Sequence, residues 1–409
     1  MPNKSYQKAI DWLFTQFPSY QQIGASAYKP DLGNITALCK LIGNPEKSLQ
    51  FIHIAGSNGK GSTSSMLASI LTESGEKVGL FTSPHLVDFR ERIRVNGEMI
   101  SEENVVEFCD LIQRSEHEIT PSFFEITFAM ALLHFLDKNC TICVIETGLG
   151  GRLDATNIIQ PLISVITNIS LEHTQFLGNS IPEIAFEKAG IIKQHIPVLI
   201  GETHPESKGV FQKRAHELDS QCIFCEEIDL KNDYQLPLLG SYQKKNLHTV
   251  LCSIDILNSK GFNISEKSIA NGLNNLNKNT GIIGRMQVIA DKPLIILDVS
   301  HNKDGIQKTL SDVIKMTTGI LHIVYGSSSD KDYESIVNLF PNHSKRYFCT
   351  FSNQRSLSKE QFRLLNEKKH WDSPIFTNVK TAIEEVKILA KEEDTILVFG
   401  SFFLISDFF

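Results

Sequence analysis

The sequence contains no run approaching the ~20 apolar residues of a membrane span, and its first residues, MPNKSYQKAIDWLFTQF, lack the apolar core of a signal peptide. It also lacks an excess of positive charge, because 40 Lys and Arg residues stand against 47 Asp and Glu residues, for a net charge of −7. Such a charge balance gives no electrostatic footprint for nucleic acid or for an anionic membrane. We therefore expect a cytoplasmic protein that binds neither.

Cysteine is present, but not in a convincing metal-binding pattern. The two C-x-x-C pairs, Cys140/Cys143 and Cys222/Cys225, have a spacing found in zinc sites. Both pairs lie in strand-like sequence, and along a strand residues three apart point to opposite faces. We predict structural thiols without disulfides, which fits a reducing compartment.

At 409 residues the chain exceeds the size at which single cores usually split, so two domains are expected. Short apolar runs alternate with helical patterns, which predicts βαβ units and parallel sheets, an α/β fold. The polar, Asn/Gly-rich stretch 261–285 predicts a hinge, with the boundary at 283–287 between an N-terminal domain (1–282) and a C-terminal domain (288–409). The predicted strands include 78–81, 142–146, 163–167, 197–200, 293–298, 321–326, 346–351 and 395–400, and the predicted helices include 62–74, 102–113, 123–136, 182–189 and 244–257.

Residues 51–64, FIHIAGSNGKGSTS, join a buried strand to a glycine-rich loop and a helix. Gly56, Gly59 and Gly61 allow backbone N–H groups to turn around phosphate oxygens, and Lys60 adds a positive charge at the N-terminal end of the helix. The spacing departs twice from the usual P-loop rule, since Ile54 replaces its first glycine and Gly61 separates the lysine from Ser62. A nucleotide triphosphate site is indicated, and an ordinary glycine-rich turn stays an alternative on this motif alone.

Polar side chains follow several of the predicted strands. Glu146 ends one strand and precedes TGLGGRLDATN (147–157), and Glu172 and His173 follow another. The carboxyl ends of parallel strands meet at one sheet edge, where acids direct Mg²⁺ and ligands bind; Ser83 adds a hydroxyl there. A carboxylate that merely caps a turn and a surface histidine are the alternatives. Lys188 lies in the last turn of a helix, where the helix dipole alone favours a cation.

The second half repeats this arrangement. LDVSHN (297–302) ends a strand with Asp298, His301 and Asn302, and Arg285 precedes it in the hinge. These groups predict a second nucleotide-facing edge. Local caps of an ordinary βα turn would explain the Asp and Asn equally well.

In this order and spacing, the motifs G-S-N-G-K-G-S, T-S-P-H-L, E-T-G-L-G-G-R-L-D-A-T-N, E-H, E-K-A-G-I and D-x-S-H-N resemble those of the dihydrofolate synthase/folylpolyglutamate synthase family, within the Mur ligase superfamily. The resemblance runs from about residue 20 to VFGSFFL. It implies a P-loop, Mur-ligase-like parallel-sheet ATPase domain followed by a smaller Rossmann-like α/β domain. It also implies a monomer that uses ATP and Mg²⁺, with a monovalent cation as a further option.

The resemblance also implies residue roles. Lys60, N-carboxylated Lys188 and His301 are assigned to catalysis, and Ser83, Glu146 and His173 to Mg²⁺. The residues implied to contact ATP are Ser57, Asn58, Gly59, Lys60, Gly61, Ser62, Asn246, Arg285 and Asp298. Those implied to contact the pterin-bearing substrate are Lys29, Pro30, Asp31, Leu32, Ser122, Phe123, Phe124, Glu125, Leu153, Asp154 and Ala155. One departure is Tyr242, which stands where the family often has His before Gln243.

The implied reaction is ATP-dependent addition of L-glutamate to dihydropteroate and to the glutamate tail of reduced folates, through an acyl phosphate. This chemistry requires positioning and charge neutralisation more than a covalent nucleophile. Two alternatives stay open: a Mur-type ligase acting on a UDP-linked peptide, and a nucleotide-binding regulator without turnover. PSFFE (121–125) and LDAT (153–156) favour the folate substrate.

Overall fold

The computed structural model describes residues 4–17, 31–229 and 234–409. The chain divides into two compact units: unit 1 comprises Met1–Pro237 and Lys245–Ile282, and unit 2 comprises Leu238–Lys244 and Ile283–Phe409. The segment 238–244 thus groups with unit 2, whereas the sequence analysis placed it in the N-terminal domain.

A mixed, mainly parallel sheet forms the centre of unit 1. Its order in the described residues is β4-β3-β2-β5-β1-β6-β7-β8, with antiparallel pairs only between β2 and β3 and between β3 and β4. The strands are β1 (Phe51–Ala55), β2 (Val78–Phe81), β3 (Ile93–Val95), β4 (Glu98–Met99), β5 (Ile142–Glu146), β6 (Ile163–Ile166), β7 (Val198–Ile200) and β8 (Cys222–Phe224). Strands β1, β5 and β6 are buried throughout, because helices cover both faces.

The helices of this region are α1 (Lys4–Gln16), α2 (Gly33–Leu41), α3 (Lys60–Glu73), α4 (Glu102–Arg114), α5 (Phe123–Asp137), α6 (Thr174–Leu177), α7 (Ile181–Ala189), α8 (Pro205–Glu217), α9 (Ser241–Ser259), α10 (Glu266–Asn274) and α11 (Leu276–Thr280). One apolar cluster joins the sheet to α1, α2, α4 and α5, and a second joins it to α7 and α8. Helix α9 begins in the segment that groups with unit 2.

The prediction of a hinge over 261–285 is wrong for most of that stretch, which forms α10 and α11 against α3. Ser69 Oγ donates to the Gly272 carbonyl at 2.6 Å, and Asn279 Nδ2 donates to Ser69 Oγ at 3.1 Å and to Glu73 Oε1 at 2.9 Å. A Cβ on Gly272 would lie 2.5 Å from Ile70 Cα, so the glycine permits close backbone contact. The Asn/Gly-rich composition therefore serves helix packing.

Unit 2 is also an α/β layer, in agreement with the predicted second domain fold. Its described sheet has the order β13-β12-β11-β14-β10-β9, and β9 pairs antiparallel to β10 while the other pairs are parallel. The strands are β9 (Gln287–Asp291), β10 (Leu294–Leu297), β11 (Leu321–Tyr325), β12 (Lys345–Cys349), β13 (Ile375–Phe376) and β14 (Thr395–Phe399). The helices are α12 (Lys303–Met316), α13 (Tyr333–Val337), α14 (Lys359–Lys369), α15 (Val379–Leu389) and α16 (Phe402–Ser406).

The cysteine argument was wrong in part. Cys140 lies before β5, and Cys225 begins a 3₁₀ turn after β8. In each C-x-x-C pair, one cysteine therefore lies in the strand and the other lies just outside it. All eight cysteines are free thiols. Within the described ranges, no group of three or more His, Cys, Asp or Glu side chains is placed to hold a metal ion, and no helix there is long and apolar enough to cross a membrane.

Candidate active site at the carboxyl edge of the sheet

The predicted P-loop connects β1 to α3 at the carboxyl edge of the unit 1 sheet. Gly56 has φ 149° and a Cβ there would lie 1.9 Å from Thr167 Oγ1, so only glycine fits beside the end of β6. Gly59 precedes the helix with φ 85°, in the left-handed region. The first turn of α3 begins at Lys60, two residues earlier than predicted.

The first half of the loop is bonded to the residues that follow β6. The Ser57 N–H donates to the Asn168 carbonyl at 2.9 Å, and the Asn58 N–H donates to Asn168 Oδ1 at 2.9 Å. Ser57 Oγ accepts from the Ser170 N–H at 2.9 Å, while Thr167 Oγ1 donates to the Asn58 carbonyl at 2.6 Å. Two of the predicted phosphate-binding N–H groups therefore already have partners inside the protein.

Two lysines meet at the carbonyl of Gly56. Lys60 Nζ donates to it at 2.7 Å, and Lys188 Nζ donates to it at 2.9 Å. Lys188 is 1% exposed and forms an ion pair with Glu172 at 2.7 Å. Burial holds the pKa of Lys188 below its usual value, with Glu172 opposing and Lys60 adding to that shift. Burial favours a raised pKa for Glu172, but Lys188, Lys60 and His173 outweigh it and keep the pKa low.

Glu146 and Ser83 lie together at the ends of neighbouring strands. Glu146 is 3% exposed at the last position of β5, and its Oε2 accepts from the Ser83 N–H at 3.1 Å. His173 stands at the start of α6 with a left-handed φ of 44°. The structure thus joins Ser83 to Glu146, and Lys188 to Glu172.

Arg92 is a further buried cation in this region and was not among the predicted site residues. Its Nε donates to His85 Nδ1 at 2.7 Å, and its guanidinium lies over the Phe123 ring, 5.4 Å from the centroid. Burial lowers the pKa of Arg92 to about 10, against the opposing charges of Glu146 and Glu91. The available signal was the run of arginines in FRERIR (89–94), four residues after the end of the T-S-P-H motif at His85.

The glycine-rich loop after β5 is held by Asp154. Its Oδ2 accepts from the Gly148 and Leu149 N–H groups at 2.9 and 2.8 Å. Its Oδ1 accepts from the N–H and the hydroxyl of Thr156 at 3.0 and 2.5 Å. The Asp154 carboxylate, predicted to contact the pterin-bearing substrate, therefore makes four bonds within its own loop. Leu153 and Ala155 lie on either side of it in the chain.

The start of α5 packs against this loop. Ser122 and Glu125 form a capping box, with Ser122 Oγ accepting from the Glu125 N–H and Glu125 Oε2 accepting from the Ser122 N–H. A Cβ on Gly148 would lie 2.7 Å from Phe124 Cζ, so the Phe124 ring rests on that glycine. Phe123 stacks on Phe14 at 4.8 Å.

Of the predicted segment at 29–32, only part can be placed. Asp31 Oδ1 accepts from the Gly33 N–H at 2.7 Å, and Leu32 packs against the first apolar cluster. Lys29 and Pro30 lie outside the described residues.

Asn246, on α9, contacts the P-loop directly. A Cβ on Gly59 would lie 2.4 Å from Asn246 Oδ1. The amide is 5% exposed, so it is fixed against the loop. The structure thus brings together Gly59 and Asn246, which the sequence analysis had connected only through resemblance.

In unit 2, Asp298 is 2% exposed, and its carboxylate accepts hydrogen bonds from nearby residues. Oδ2 accepts from the Met286 N–H at 2.8 Å, and Oδ1 accepts from the Ser300 N–H at 2.9 Å and from Thr309 Oγ1 at 3.1 Å. Met286 has a left-handed φ of 44°, which the bond from Asp298 helps to hold. The Tyr242 hydroxyl lies near this carboxylate, and burial raises the pKa of Tyr242 well above its usual value.

Arg285 and His301 share one aromatic partner that the sequence analysis did not single out. The Arg285 guanidinium lies 5.3 Å from the centroid of Phe402, and the His301 ring lies 5.4 Å from it. Phe402 is the first residue of α16, capped by Ser401.

Two family models match the chain: the Mur ligase middle domain over residues 54–200, and the Mur ligase glutamate ligase domain over residues 284–402. The fold is thus that of a Mur ligase.

Dihydrofolate synthase/folylpolyglutamate synthase of Bacillus subtilis is 31% identical, over 98% of each chain. Escherichia coli FolC, solved in complex with DHPP and ADP, is 28% identical with a TM-score of 0.85, over 97% of this chain and 96% of that one. The bifunctional enzyme of Yersinia pestis, solved with AMPPNP and Mn ion, is 27% identical with a TM-score of 0.84, over 97% and 96%. The chain belongs to the dihydrofolate synthase/folylpolyglutamate synthase family.

Proposed function

We propose that the protein is an ATP-dependent ligase that joins L-glutamate to dihydropteroate, giving dihydrofolate, and to the glutamate tail of reduced folates. The observation that carries this proposal is similarity along 98% of both chains to a dihydrofolate synthase/folylpolyglutamate synthase. A substrate carboxylate attacks the γ-phosphate of ATP and forms an acyl phosphate with release of ADP. The glutamate amine then displaces phosphate, loses its proton and leaves an amide.

Lys60 and the start of α3 are the groups that we assign to the phosphates. Lys60 Nζ now donates to the carbonyls of Gly56 and Ser57, at 2.7 and 3.2 Å. Phosphate oxygens carry full negative charge, so they are stronger acceptors for this ammonium than backbone carbonyls. We assign the N–H groups from Gly59 to Ser62 to the same phosphates, because the helix N-terminus favours an anion.

A divalent cation fits the side chains at the end of β5. The Glu146 carboxylate is buried and Ser83 adjoins it, and carboxylate and hydroxyl oxygens are ligands that Mg²⁺ prefers. Glu146, Ser83 and His173 would hold the ion, which would neutralise phosphate charge. N-carboxylation of Lys188 would replace the ammonium beside Glu172 by an anion, and this change requires a compensating positive charge nearby. Mg²⁺ as the metal, the modification, a monovalent cation and the monomeric state stay predictions.

The acceptor is assigned to the surface between α5 and the loop after β5. The Phe124 ring on Gly148 offers an apolar face for a flat pterin, and Ser122, Phe123, Glu125, Leu153 and Ala155 flank it. Asp154 keeps this loop in shape through its bonds to Gly148 and Leu149. Asn246, Arg285, Asp298 and His301 are assigned to the nucleotide and the reacting groups, with Asp298 acting through Met286.

The test is ADP release by the purified protein with ATP, Mg²⁺ and glutamate, given dihydropteroate, a reduced folate monoglutamate or a UDP-linked peptide. We expect release that requires both glutamate and either of the first two acceptors. Release only with the UDP-linked peptide would identify a Mur-type peptide ligase instead. ATP binding without turnover on any acceptor would favour the regulator.

The metal assignment has a separate test in Glu146→Gln, which keeps the shape of the side chain and removes its charge. We expect a sharply raised Mg²⁺ requirement and a turnover lowered by about a hundredfold or more. Glu76→Gln, which changes an acid bonded to the Thr141 hydroxyl at the opposite edge of the sheet, serves as the control. An unchanged Mg²⁺ titration in Glu146→Gln would remove Glu146 from the metal site.

A further inference from the structure

The side chain of Asn168 makes two hydrogen bonds in opposite directions. Its Oδ1 accepts from the P-loop N–H of Asn58 at 2.9 Å, and its Nδ2 donates to Glu202 Oε1 at 3.3 Å. An amide is the side chain that can accept on one oxygen and donate from one nitrogen at the same time. Asn168 therefore connects the P-loop to a carboxylate on the next strand-end loop.

The position of Asn168 is fixed by the backbone on both sides. Asn168 follows β6, and its carbonyl accepts from the Ser57 N–H at 2.9 Å. The residue is 6% exposed. The carbonyl of the preceding residue, Thr167, accepts a hydrogen bond from the Glu202 N–H at 2.8 Å. The amide is thus buried and held at the end of the strand beside β1.

Glu202 extends the connection to α9. Its other oxygen, Oε2, accepts from Lys245 Nζ at 2.6 Å. Lys245 directly precedes Asn246, whose amide lies against Gly59 of the same P-loop. The chain of contacts therefore starts at Asn58, passes through Asn168, Glu202 and Lys245, and returns to the P-loop at Gly59.

We infer that Asn168 is a positioning residue for nucleotide binding, which sets the conformation of the P-loop through Asn58 and, with Glu202 and Lys245, ties it to α9. The inference rests on the proposed function only in that the P-loop binds ATP. The N–H groups of Ser57 and Asn58 both donate to Asn168, and we therefore assign the phosphate contacts to the N–H groups from Gly59 onward.

The chain offers a matched control in Asn279. It is 8% exposed, its amide also makes two hydrogen bonds, and these go to Ser69 and Glu73 near the far end of α3. Asn168→Ala and Asn279→Ala remove the same group from similarly buried sites. A merely structural role predicts similar losses for both, whereas positioning of the P-loop predicts a loss of nucleotide affinity for Asn168→Ala alone.

The experiment measures the Kd for ADP with Mg²⁺ by calorimetry, the KM for each substrate and the melting temperature. We expect Asn168→Ala to raise the Kd for ADP and the KM for ATP by about tenfold and to leave the KM for glutamate unchanged. Asn279→Ala should change the ADP Kd by less than about twofold. Equal ADP affinities in the two variants would overturn the inference.

A second pair of variants tests the bond to Glu202 without leaving a cavity. Asn168→Asp keeps the acceptor for Asn58 but places a carboxylate against Glu202, so ADP binding should weaken. Adding Glu202→Gln returns an amide donor to that contact, and the double variant should recover most of the affinity. A double variant no better than Asn168→Asp would contradict the inference. ADP binding without folate-dependent ligation in the wild-type protein would refute the proposed function alone, while no ADP binding would refute both.

Discussion

The two sheets end in different ways at their carboxyl edges. In unit 1 the strand-end loops are joined to one another: Ser57 to Ser170, Ser83 to Glu146, and Lys188 to Gly56 and Glu172. In unit 2 the strand-end side chains serve their own loop, as Asp298 does, or rest on one aromatic ring, as Arg285 and His301 do. Unit 1 therefore concentrates charge at one place, while unit 2 holds its groups by packing. We expect substitutions in unit 1 to abolish turnover and those in unit 2 to reduce it by degrees.

The largest effect is expected from Lys60→Ala. Lys60 Nζ donates to two carbonyls of its own loop, so the melting temperature should change little. Turnover should fall by about a thousandfold or more, because the charge facing the phosphates is lost. Lys77→Ala, in the turn before β2, controls for loss of a surface lysine. Near-normal ADP release by Lys60→Ala would remove the loop from the phosphate site.

Lys188→Ala should also inactivate the protein, and its matched control lies five residues further on. Lys193 is a partly buried lysine, which donates to the Asn157 carbonyl at 2.7 Å. If Lys188 acts as a carboxylated metal-facing group, added short carboxylates should restore part of the activity of Lys188→Ala, and Lys193→Ala should stay active. Lys188→Ala also leaves the buried Glu172 carboxylate without its ion pair, so the melting temperature is measured together with the activity. A folded and fully active Lys188→Ala would contradict the metal-facing role.

Phe402→Leu should have an intermediate effect and test the unit 2 side of the comparison. The smaller side chain loosens both Arg285 and His301, so we expect turnover to fall by about tenfold with the fold retained. Phe403→Leu is the control, since Phe403 stacks on Phe351 at 5.6 Å. If Phe402→Leu lost as much turnover as Lys60→Ala, the proposed difference between the carboxyl edges of units 1 and 2 would be contradicted. Equal activities for both Phe variants would show that Phe402 positions neither group.

The smallest effect concerns acid stability and two buried histidines, one in each unit. Burial, with a smaller contribution from Lys193, lowers the pKa of His53 to about 3. Burial also lowers the pKa of His322, but Asp394 opposes that shift. A histidine with a depressed pKa takes up its proton only on unfolding, so it leaves stability intact above pH 6.5 and reduces it as the pH falls from there towards the folded-state pKa.

His53→Gln removes this titration and keeps a donor for the Thr156 hydroxyl, which His53 Nε2 contacts at 2.8 Å. Between pH 7 and pH 5 its free energy of unfolding should fall by about 2 kcal/mol less than that of the wild type. His322→Gln should give a smaller difference. Urea unfolding at the two pH values measures both, and identical pH dependence in His53→Gln and wild type would contradict the assignment.

Much of the fold could be predicted because its signals are local. The buried strands 78–81 and 142–146 have the predicted bounds, since short apolar runs between turn signals leave few alternatives. Helices α10 and α11 were not recognised, because the Gly272 carbonyl of α10 and the Asn279 amide of α11 bond to Ser69 and Glu73, 203 to 210 positions earlier in the chain. The prediction that Cys140 and Cys225 lie within strands was also wrong, because a strand end cannot be located to within one or two residues from sequence.

The site residues show the same difference between local signals and contacts that are distant in sequence. Lys60, Glu146 and Lys188 belong to ordered motifs, and the structure places each of them at the carboxyl edge. Asn168 and Phe402 act through partners distant in sequence, so their residue types alone carried no signal. Asp154 and Asp298 are the converse case, because their motifs were noticed but the backbone groups that they bind could not be foreseen.

The contact of α3 with α10 and α11 has a mechanical consequence. Helix α3 starts at the P-loop, and the backbone of Gly272 lies directly against Ile70 of this helix, with no side chain between them. Backbone-to-backbone contact leaves little compliance, since no rotamer can change to absorb a shift. Unit 1 extends to Ile282, so α10 and α11 belong to the same unit as the P-loop. Any displacement of α3 would therefore be passed to α10 with little loss, because Gly272 has no side chain that could absorb it.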